Sequence, residues 1–230
     1  MADAAASADP AEPLTLALGL QQVSGLWLLP EGARACYVLA HGAGAGMRHA
    51  FMRDAACTLA QHAIATLRFQ FPYMERGSRR LDPPTVCHAT VRAAVAAARE
   101  RAPALPMFAG GRSFGGRMSS QAQALAALPG VRGLVFLGFP LHPAGKPASE
   151  RAAHLQAVQL PMLFVQGTQD ALADRAALLR VAKELGPRAS IEWVADADHA
   201  FHVPARAGRR DASVRAALLA AAAQWMLEHE

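Results

Sequence analysis

The chain has 230 residues, 53% of them hydrophobic, and a formal net charge of +5 at pH 7. This length and apolar content are typical of a globular domain and exclude a generally disordered chain. The 23 basic residues are spread along the whole sequence, without the interleaved aromatic residues of a nucleic-acid surface, so we expect no nucleic-acid partner.

The first segment, MADAAASADPAEP (1–13), has no apolar periodicity and predicts a flexible tail before a single domain over 14–230. It is acidic where a signal peptide is basic, and no apolar run approaches the roughly 20 residues of a membrane span. Cys36, Cys57 and Cys87 have no disulfide or metal-binding spacing. We therefore expect a cytoplasmic protein without membrane contact, either a monomer or a homodimer.

Beyond the tail, short apolar runs alternate with longer segments of helical pattern. This alternation predicts an α/β fold with a doubly wound, mostly parallel sheet and helices on both faces. The predicted strands are VSGLWLL (23–29), ACYVLA (35–40), IATLRF (64–69), LPMFAG (105–110), VRGLVFLGF (131–139), MLFVQG (162–167) and SIEWV (190–194), and the predicted helices lie near 50–62, 85–101, 114–128, 149–157, 173–185 and 211–229.

The segments that follow the predicted strands are rich in polar and reactive residues. In an open parallel sheet, ligands bind beyond the carboxyl ends of the strands. Four such segments are HGAGAG (41–46), GRSFGG (111–116), TQD (168–170) and ADADHAFH (195–202). We therefore expect the functional side chains to meet at this edge of the sheet.

The segment GRSFG contains the pattern G-x-S-x-G between a predicted strand and a predicted helix. A serine at a sharp strand-to-helix turn needs neighbours with almost no side chain two positions before and after it. Gly111 and Gly115 meet this requirement around Ser113. The pattern predicts a nucleophile elbow with Ser113 as the nucleophile.

A serine hydroxyl becomes nucleophilic when a base takes its proton and a third group orients that base. Asp170 and His199 follow Ser113 in the chain order Ser, Asp, His, which nucleophile-elbow hydrolases use. We assign His199 as general base and Asp170 as the carboxylate that orients it. Asp170 has an alternative role as a helix N-cap, which Asp174 could take instead, and His202 is an alternative base.

Two further interpretations concern ligands of the same edge. A metal could be held by Asp196, Asp198, His199 and His202 together, but no ligands of defined spacing support them elsewhere. We therefore expect neither a metal nor another cofactor.

Acyl transfer needs N–H donors for the oxyanion. The backbone N–H groups of Phe114 and Ala43 are the candidates, since HGAGAG lacks the G-x-G-x-x-G spacing and the acidic partner of a dinucleotide site.

With these residues in place, the chain resembles the α/β-hydrolase superfamily, in particular its small cap-less members related to dienelactone hydrolases. The similarity is seen from about residue 23 to the end, in LAHGAGAG, RFQFPYMERG, GGRSFGGR, FPLHPAGKP, FVQGTQD and DHAFH. It implies a serine hydrolase that acts on an ester or similar acyl bond without a cofactor. Dienelactone hydrolases proper use a cysteine where this chain has Ser113.

The short segment between FLGF and MLFVQG leaves no room for the lid of larger relatives, so we expect an open pocket. Residues that follow predicted strands are the candidates to line it. They are His41, Phe71, Tyr73, Phe139 and His142.

These observations predict a carboxylesterase-like serine hydrolase acting on a small-molecule acyl substrate through an acyl-enzyme. A thioesterase, lactonase or small peptidase would use the same triad, because only the leaving group differs. A non-catalytic binding or scaffold protein on the same fold is the alternative from another class. Such a protein has no physical reason to keep Ser113, Asp170, His199 and both flanking glycines together.

Overall fold

The computed structural model describes residues 9–146 and 148–230. Within these ranges eight strands form one sheet in the order β1-β2-β4-β3-β5-β6-β7-β8. The six strands β4, β3, β5, β6, β7 and β8 are parallel to one another. Strands β1 and β2 extend the sheet beside β4 with antiparallel pairing. The strands are β1 (Glu12–Leu18), β2 (Gln21–Leu28), β3 (Ala35–Ala40), β4 (Ile64–Phe69), β5 (Met107–Arg112), β6 (Val131–Leu137), β7 (Met162–Gly167) and β8 (Ala189–Val194).

In the same ranges, six α-helices flank the sheet, and local sequence signals set several of their ends. Asp174 caps α5 by accepting the N–H of Ala177 at 2.9 Å. Prolines begin α2 and α3, where the missing N–H is not needed. The helices are α1 (Ala50–Gln61), α2 (Pro72–Glu75), α3 (Pro84–Arg101), α4 (Phe114–Leu125), α5 (Arg175–Leu185) and α6 (Asp211–Glu228), with 3-10 helices at Glu150–Ala157, Gly186–Arg188 and Ala205–Ala207.

The core has one apolar layer on each face of the sheet. Strand β3 is buried throughout, with Cys36 and Val38 in one layer and Tyr37 and Leu39 in the other. The first layer packs against α3, α4 and α5, and the second against α1 and α6. This confirms the predicted doubly wound α/β fold. None of the described helices is long and apolar enough to cross a membrane.

The N-terminal boundary differs from the prediction. Residues 1–8 of the predicted tail lie outside the described residues, but β1 begins at Glu12, and Asp9 forms a bidentate ion pair with Arg68 at 2.7 and 2.9 Å. The Arg68 side chain is fully buried, and a buried charge needs such a partner. Strand β1 escapes sequence detection because it is an edge strand that buries fully only Leu16.

Smaller differences affect the elements near the candidate site. Strand β5 is shifted from the predicted 105–110 and ends at Arg112, directly before the predicted nucleophile. The predicted helix at 149–157 is a 3-10 helix, and α2 is a single turn that the sequence did not indicate. In the described part of the segment between β6 and β7, that 3-10 helix is the only regular element, which confirms the cap-less architecture.

Candidate active site

Ser113 lies at the turn between β5 and α4 with φ 48° and ψ −112°, a backbone conformation that is strained for any residue with a side chain. The flanking glycines allow the close packing of this turn. A Cβ atom at Gly111 would lie 2.1 Å from the carbonyl oxygen of Ala40, and one at Gly115 would lie 2.5 Å from the same atom. The sequence therefore forms a sharp elbow because no larger residue fits at either position.

Three side chains from separate loops form a hydrogen-bonded chain. The His199 ring contacts Ser113 Oγ through Nε2 at 2.8 Å and Asp170 Oδ2 through Nδ1 at 2.7 Å. An ionised carboxylate only accepts hydrogen bonds, so Nδ1 carries the proton and donates it to Asp170. In the neutral ring Nε2 is then free to accept from the Ser113 hydroxyl.

The Asp170 carboxylate is buried and fully engaged. Its Oδ1 accepts the N–H of Leu172 at 2.8 Å, and its Oδ2 accepts from the Gln166 side-chain amide as well as from His199. Asp174, not Asp170, caps the following helix. The alternative N-cap role for Asp170 is therefore wrong, and its carboxylate is directed to the histidine.

The loop that carries His199 is shaped by Asp198. The Asp198 carboxylate accepts the N–H groups of Ala200 at 2.7 Å and His202 at 2.9 Å. His202 is exposed and its Nδ1 bonds Asp211 at 2.8 Å, away from Ser113. Across residues 9–146 and 148–230, no group of three or more His, Cys, Asp or Glu side chains is placed to hold a metal ion.

A cleft of about 440 Å³ opens beside Ser113 and His199. Phe114 begins α4, and Ala43 lines the cleft; within the described residues neither amide N–H has a hydrogen-bond acceptor. Free amides at a helix N-terminus attract negative charge. The other lining residues are Gly42, Ala45, His49, Phe51, Met52, Arg112, Leu172 and Ala200.

Comparison with protein families identifies the chain. A model described as "Alpha/beta hydrolase domain" matches residues 33–227, which is most of the sequence. The chain belongs to the alpha/beta-hydrolase family. Family membership and the absence of a cap confirm the resemblance that the sequence blocks indicated.

Solved structures share the fold of this hydrolase over nearly its whole length. A dienelactone hydrolase from Anabaena variabilis is 20% identical with a TM-score of 0.78, covering 95% of this chain and 97% of that chain. A lid-less α/β serine hydrolase from Xanthomonas campestris is 23% identical with a TM-score of 0.72, covering 94% of both chains. Est1E from Butyrivibrio proteoclasticus with bound ferulic acid is 15% identical with a TM-score of 0.72, covering 94% and 98%.

The predicted pocket residues do not line the cleft of the hydrolase. His41 is completely buried: its Nδ1–H donates to the Gly42 carbonyl at 2.8 Å, and its Nε2 accepts the N–H of Phe71 at 3.1 Å. Burial lowers the pKa of His41 to about 4, although its bond to the Gly42 carbonyl opposes that shift. Both ring nitrogens are used by the backbone, so His41 fixes the loop after β3 to the loop after β4.

The other four predicted pocket residues are also core residues. Phe71 and Tyr73 stack with ring centroids 6.3 Å apart, and Phe139 packs 5.0 Å from Phe136. His142 is buried with its Nδ1–H donating to the carbonyl of the next residue at 2.8 Å. All four are buried, and none of them lines the cleft beside Ser113.

Sequence reasoning missed several residues that shape the site. Gln166 is the one amide in the otherwise apolar strand MLFVQG, four residues before Asp170, and that spacing is a signal that could have been used. Phe51 and Met52 lie in the first turn of α1 and gave no signal beyond helical periodicity. Arg112, inside the G-x-S-x-G pattern, lines the cleft and bonds the carbonyl oxygen of His199.

Proposed function

We propose that this hydrolase cleaves carboxylic esters through a Ser113 acyl-enzyme. The observation that carries the proposal is the hydrogen-bonded chain from Ser113 Oγ through His199 to the buried Asp170 carboxylate. This arrangement supplies a nucleophile, a base and a group that orients the base, at distances suited to proton transfer.

In the first half-reaction, Ser113 Oγ attacks the carbonyl carbon of the ester while its proton passes to His199 Nε2. The tetrahedral intermediate then collapses, the bond between carbon and leaving oxygen breaks, and His199 returns the proton to that oxygen. Water enters, loses a proton to His199 and attacks the acyl carbon, which releases the acid and restores Ser113. Asp170 stabilises the imidazolium that forms in both halves.

The backbone N–H groups of Phe114 and Ala43 are the proposed oxyanion donors. Phe114 N–H is at the positive end of α4, beside the nucleophile, and Ala43 N–H is in the loop after β3 on the wall of the cleft. Each donor of this kind contributes on the order of 3 kcal/mol to lowering an acyl-transfer barrier. Apart from the ester and water, the proposed steps use only groups of the chain itself.

The cleft favours an uncharged ester of modest size. Phe51, Met52 and Leu172 give it an apolar wall, and it is open because no cap covers it in the described part of the chain. Among the residues that the structure describes, Arg112 is the one Arg or Lys that lines the cleft, and its guanidinium bonds two backbone carbonyls. Small ester-cleaving activity also agrees with the bound ferulic acid named for the fold neighbour Est1E.

The experiment that tests this proposal is reaction with a fluorophosphonate, followed by intact-protein mass. We expect a single adduct on the wild type, none on Ser113→Ala, and a rate lowered on the order of a millionfold in His199→Ala. His202→Ala is the matched control, three residues along the same loop, and should react like the wild type. The absence of an adduct on folded wild-type protein would refute the proposal.

A further inference from the structure

Arg112 joins the nucleophile elbow to the loop that carries the histidine. Its Nη1 donates to the carbonyl oxygen of Leu137 at 3.1 Å, and its Nη2 donates to the carbonyl oxygen of His199. The guanidinium carbon also lies 5.3 Å from the ring centroid of Phe51 and 5.2 Å from that of Phe201. Strand β6, helix α1 and the histidine loop therefore all contact one side chain.

The Leu137 carbonyl ties this contact to the nucleophile itself. It accepts the N–H of Ser113 at 3.2 Å as well as the Nη1–H of Arg112. One oxygen at the end of β6 thus fixes both the backbone of the nucleophile and the guanidinium that holds the histidine. Gly138, the next residue, leaves the space required: a Cβ there would lie 2.7 Å from Arg112 Nη1.

The chemistry of arginine suits this position. A planar guanidinium can lie against aromatic rings while its two terminal nitrogens donate in fixed directions, which a lysine ammonium cannot reproduce. Burial lowers the pKa of Arg112 to about 10, with the Asp170 and Asp198 carboxylates opposing that shift, so it stays charged at neutral pH. Two of its five N–H donors, one on each terminal nitrogen, are bonded to backbone carbonyl oxygens.

We propose that Arg112 is a positioning residue that sets the His199 ring at hydrogen-bonding distance from Ser113. This inference rests on the proposed function, because it assigns a role in the same reaction. Arg112 acts through the backbone of His199 and does not contact the reacting atoms. Because Arg112 directly precedes Ser113 in the chain, the same strand end delivers the nucleophile and fixes its base.

The test compares Arg112→Lys and Arg112→Gln with Arg92→Lys. Arg92 is the matched control because it is also half-buried and bonds backbone carbonyls, Ala126 among them at 2.7 Å, at the far end of α4. We expect fluorophosphonate labelling and kcat to fall about 100-fold in Arg112→Gln, the effect of roughly 1 Å of misplacement, and less in Arg112→Lys. KM should stay near the wild-type value, and Arg92→Lys should react like the wild type.

A second readout does not depend on activity. The Nδ1 proton that His199 donates to Asp170 gives a low-field proton NMR signal, which we expect in the wild type and Arg92→Lys but broadened or lost in Arg112→Gln. Using two substitutions keeps the test valid should one of them fail to fold.

Wild-type labelling rates or an intact low-field signal in both Arg112 variants would overturn the inference, as would a loss that appears in KM alone. If the wild type itself forms no adduct, the proposed function fails, and the NMR comparison alone decides the positioning role.

Discussion

Two loops at the same edge of the sheet each carry a histidine beyond the end of a parallel strand, and only one of these histidines has a ring nitrogen bonded to Ser113. His41, after β3, has both ring nitrogens bonded to backbone groups in the core. His199, beyond β8, has a carboxylate on Nδ1 and the Ser113 hydroxyl on Nε2. The two residues look alike in sequence but have opposite surroundings.

The comparison shows that the partners of a histidine, more than its place at the sheet edge, determine its chemistry. Protonation of His41 would direct an N–H at the N–H of Phe71 in a fully buried site, and burial already holds its pKa at about 4. In His199 the Asp170 carboxylate accepts from Nδ1, which leaves Nε2 directed at the Ser113 hydroxyl. The first loop is a structural brace, and the second is where proton transfer is proposed.

Among the substitutions that test this difference between the two histidines, Asp170→Asn is expected to cause the largest loss of activity. An amide can donate to Nδ1, which favours the tautomer with its proton on Nε2 and removes the acceptor for the Ser113 hydroxyl. We expect kcat for a p-nitrophenyl ester to fall about 10⁴-fold. The measurement is steady-state turnover at neutral pH with enzyme of confirmed native fold.

Asp174→Asn is the matched control for that substitution. Asp174 lies four residues further on and caps α5, a role that asparagine fills about equally well. Turnover should therefore match the wild type. Equal losses of kcat in both variants would mean that Asp170 affects activity only by stabilising the fold. The proposed difference in role between His41 and His199 would then be unsupported.

A smaller effect is expected for His41, in the pH dependence of the free energy of unfolding. Its folded pKa of about 4 is below the unfolded value near 6.5, so the unfolded state binds the proton more tightly and stability is lost as pH falls through this window. From pH 7 to pH 4 the wild type should lose about 3 kcal/mol more unfolding free energy than His41→Gln, whose amide oxygen can still accept from Phe71. Urea unfolding at both pH values measures the difference.

The same variant should keep its esterase activity at neutral pH once folded. A His41→Gln protein that folds but loses turnover as completely as His199→Ala would show that the structural assignment of His41 is mistaken. An equal acid sensitivity of both proteins would show that His41 titrates normally in the folded chain.

Most of the fold was predictable because parallel strands buried on both faces give continuous apolar runs. Strands β3, β4 and β7 were predicted at their observed limits. Strand β1 was not, because an edge strand that buries one residue fully has no such run. The ion pair of Asp9 with Arg68 joins residues 59 positions apart, a pairing that no local pattern contains.

The candidate site was predictable in its three central residues and in the loop of Ala43, but not in most of its lining. Ser113, Asp170 and His199 stand in the expected order after strands, and the structure brings them together. The residues predicted to line the pocket, such as Phe71, lie in the core instead. Two residues of the cleft's apolar wall, Phe51 and Met52, come from α1, and the packing of that helix beside the elbow is a tertiary property.

The proposed ester hydrolysis depends on acylation of Ser113 during turnover. The direct measurement is to mix the wild type with p-nitrophenyl acetate, quench in acid during the first turnover, and map the acetyl group by peptide mass. We predict a burst of p-nitrophenol with the acetyl group on the peptide containing Ser113, and the same result for His41→Gln. Turnover with no acetyl group on Ser113, or with one on another residue, would contradict a Ser113 acyl-enzyme.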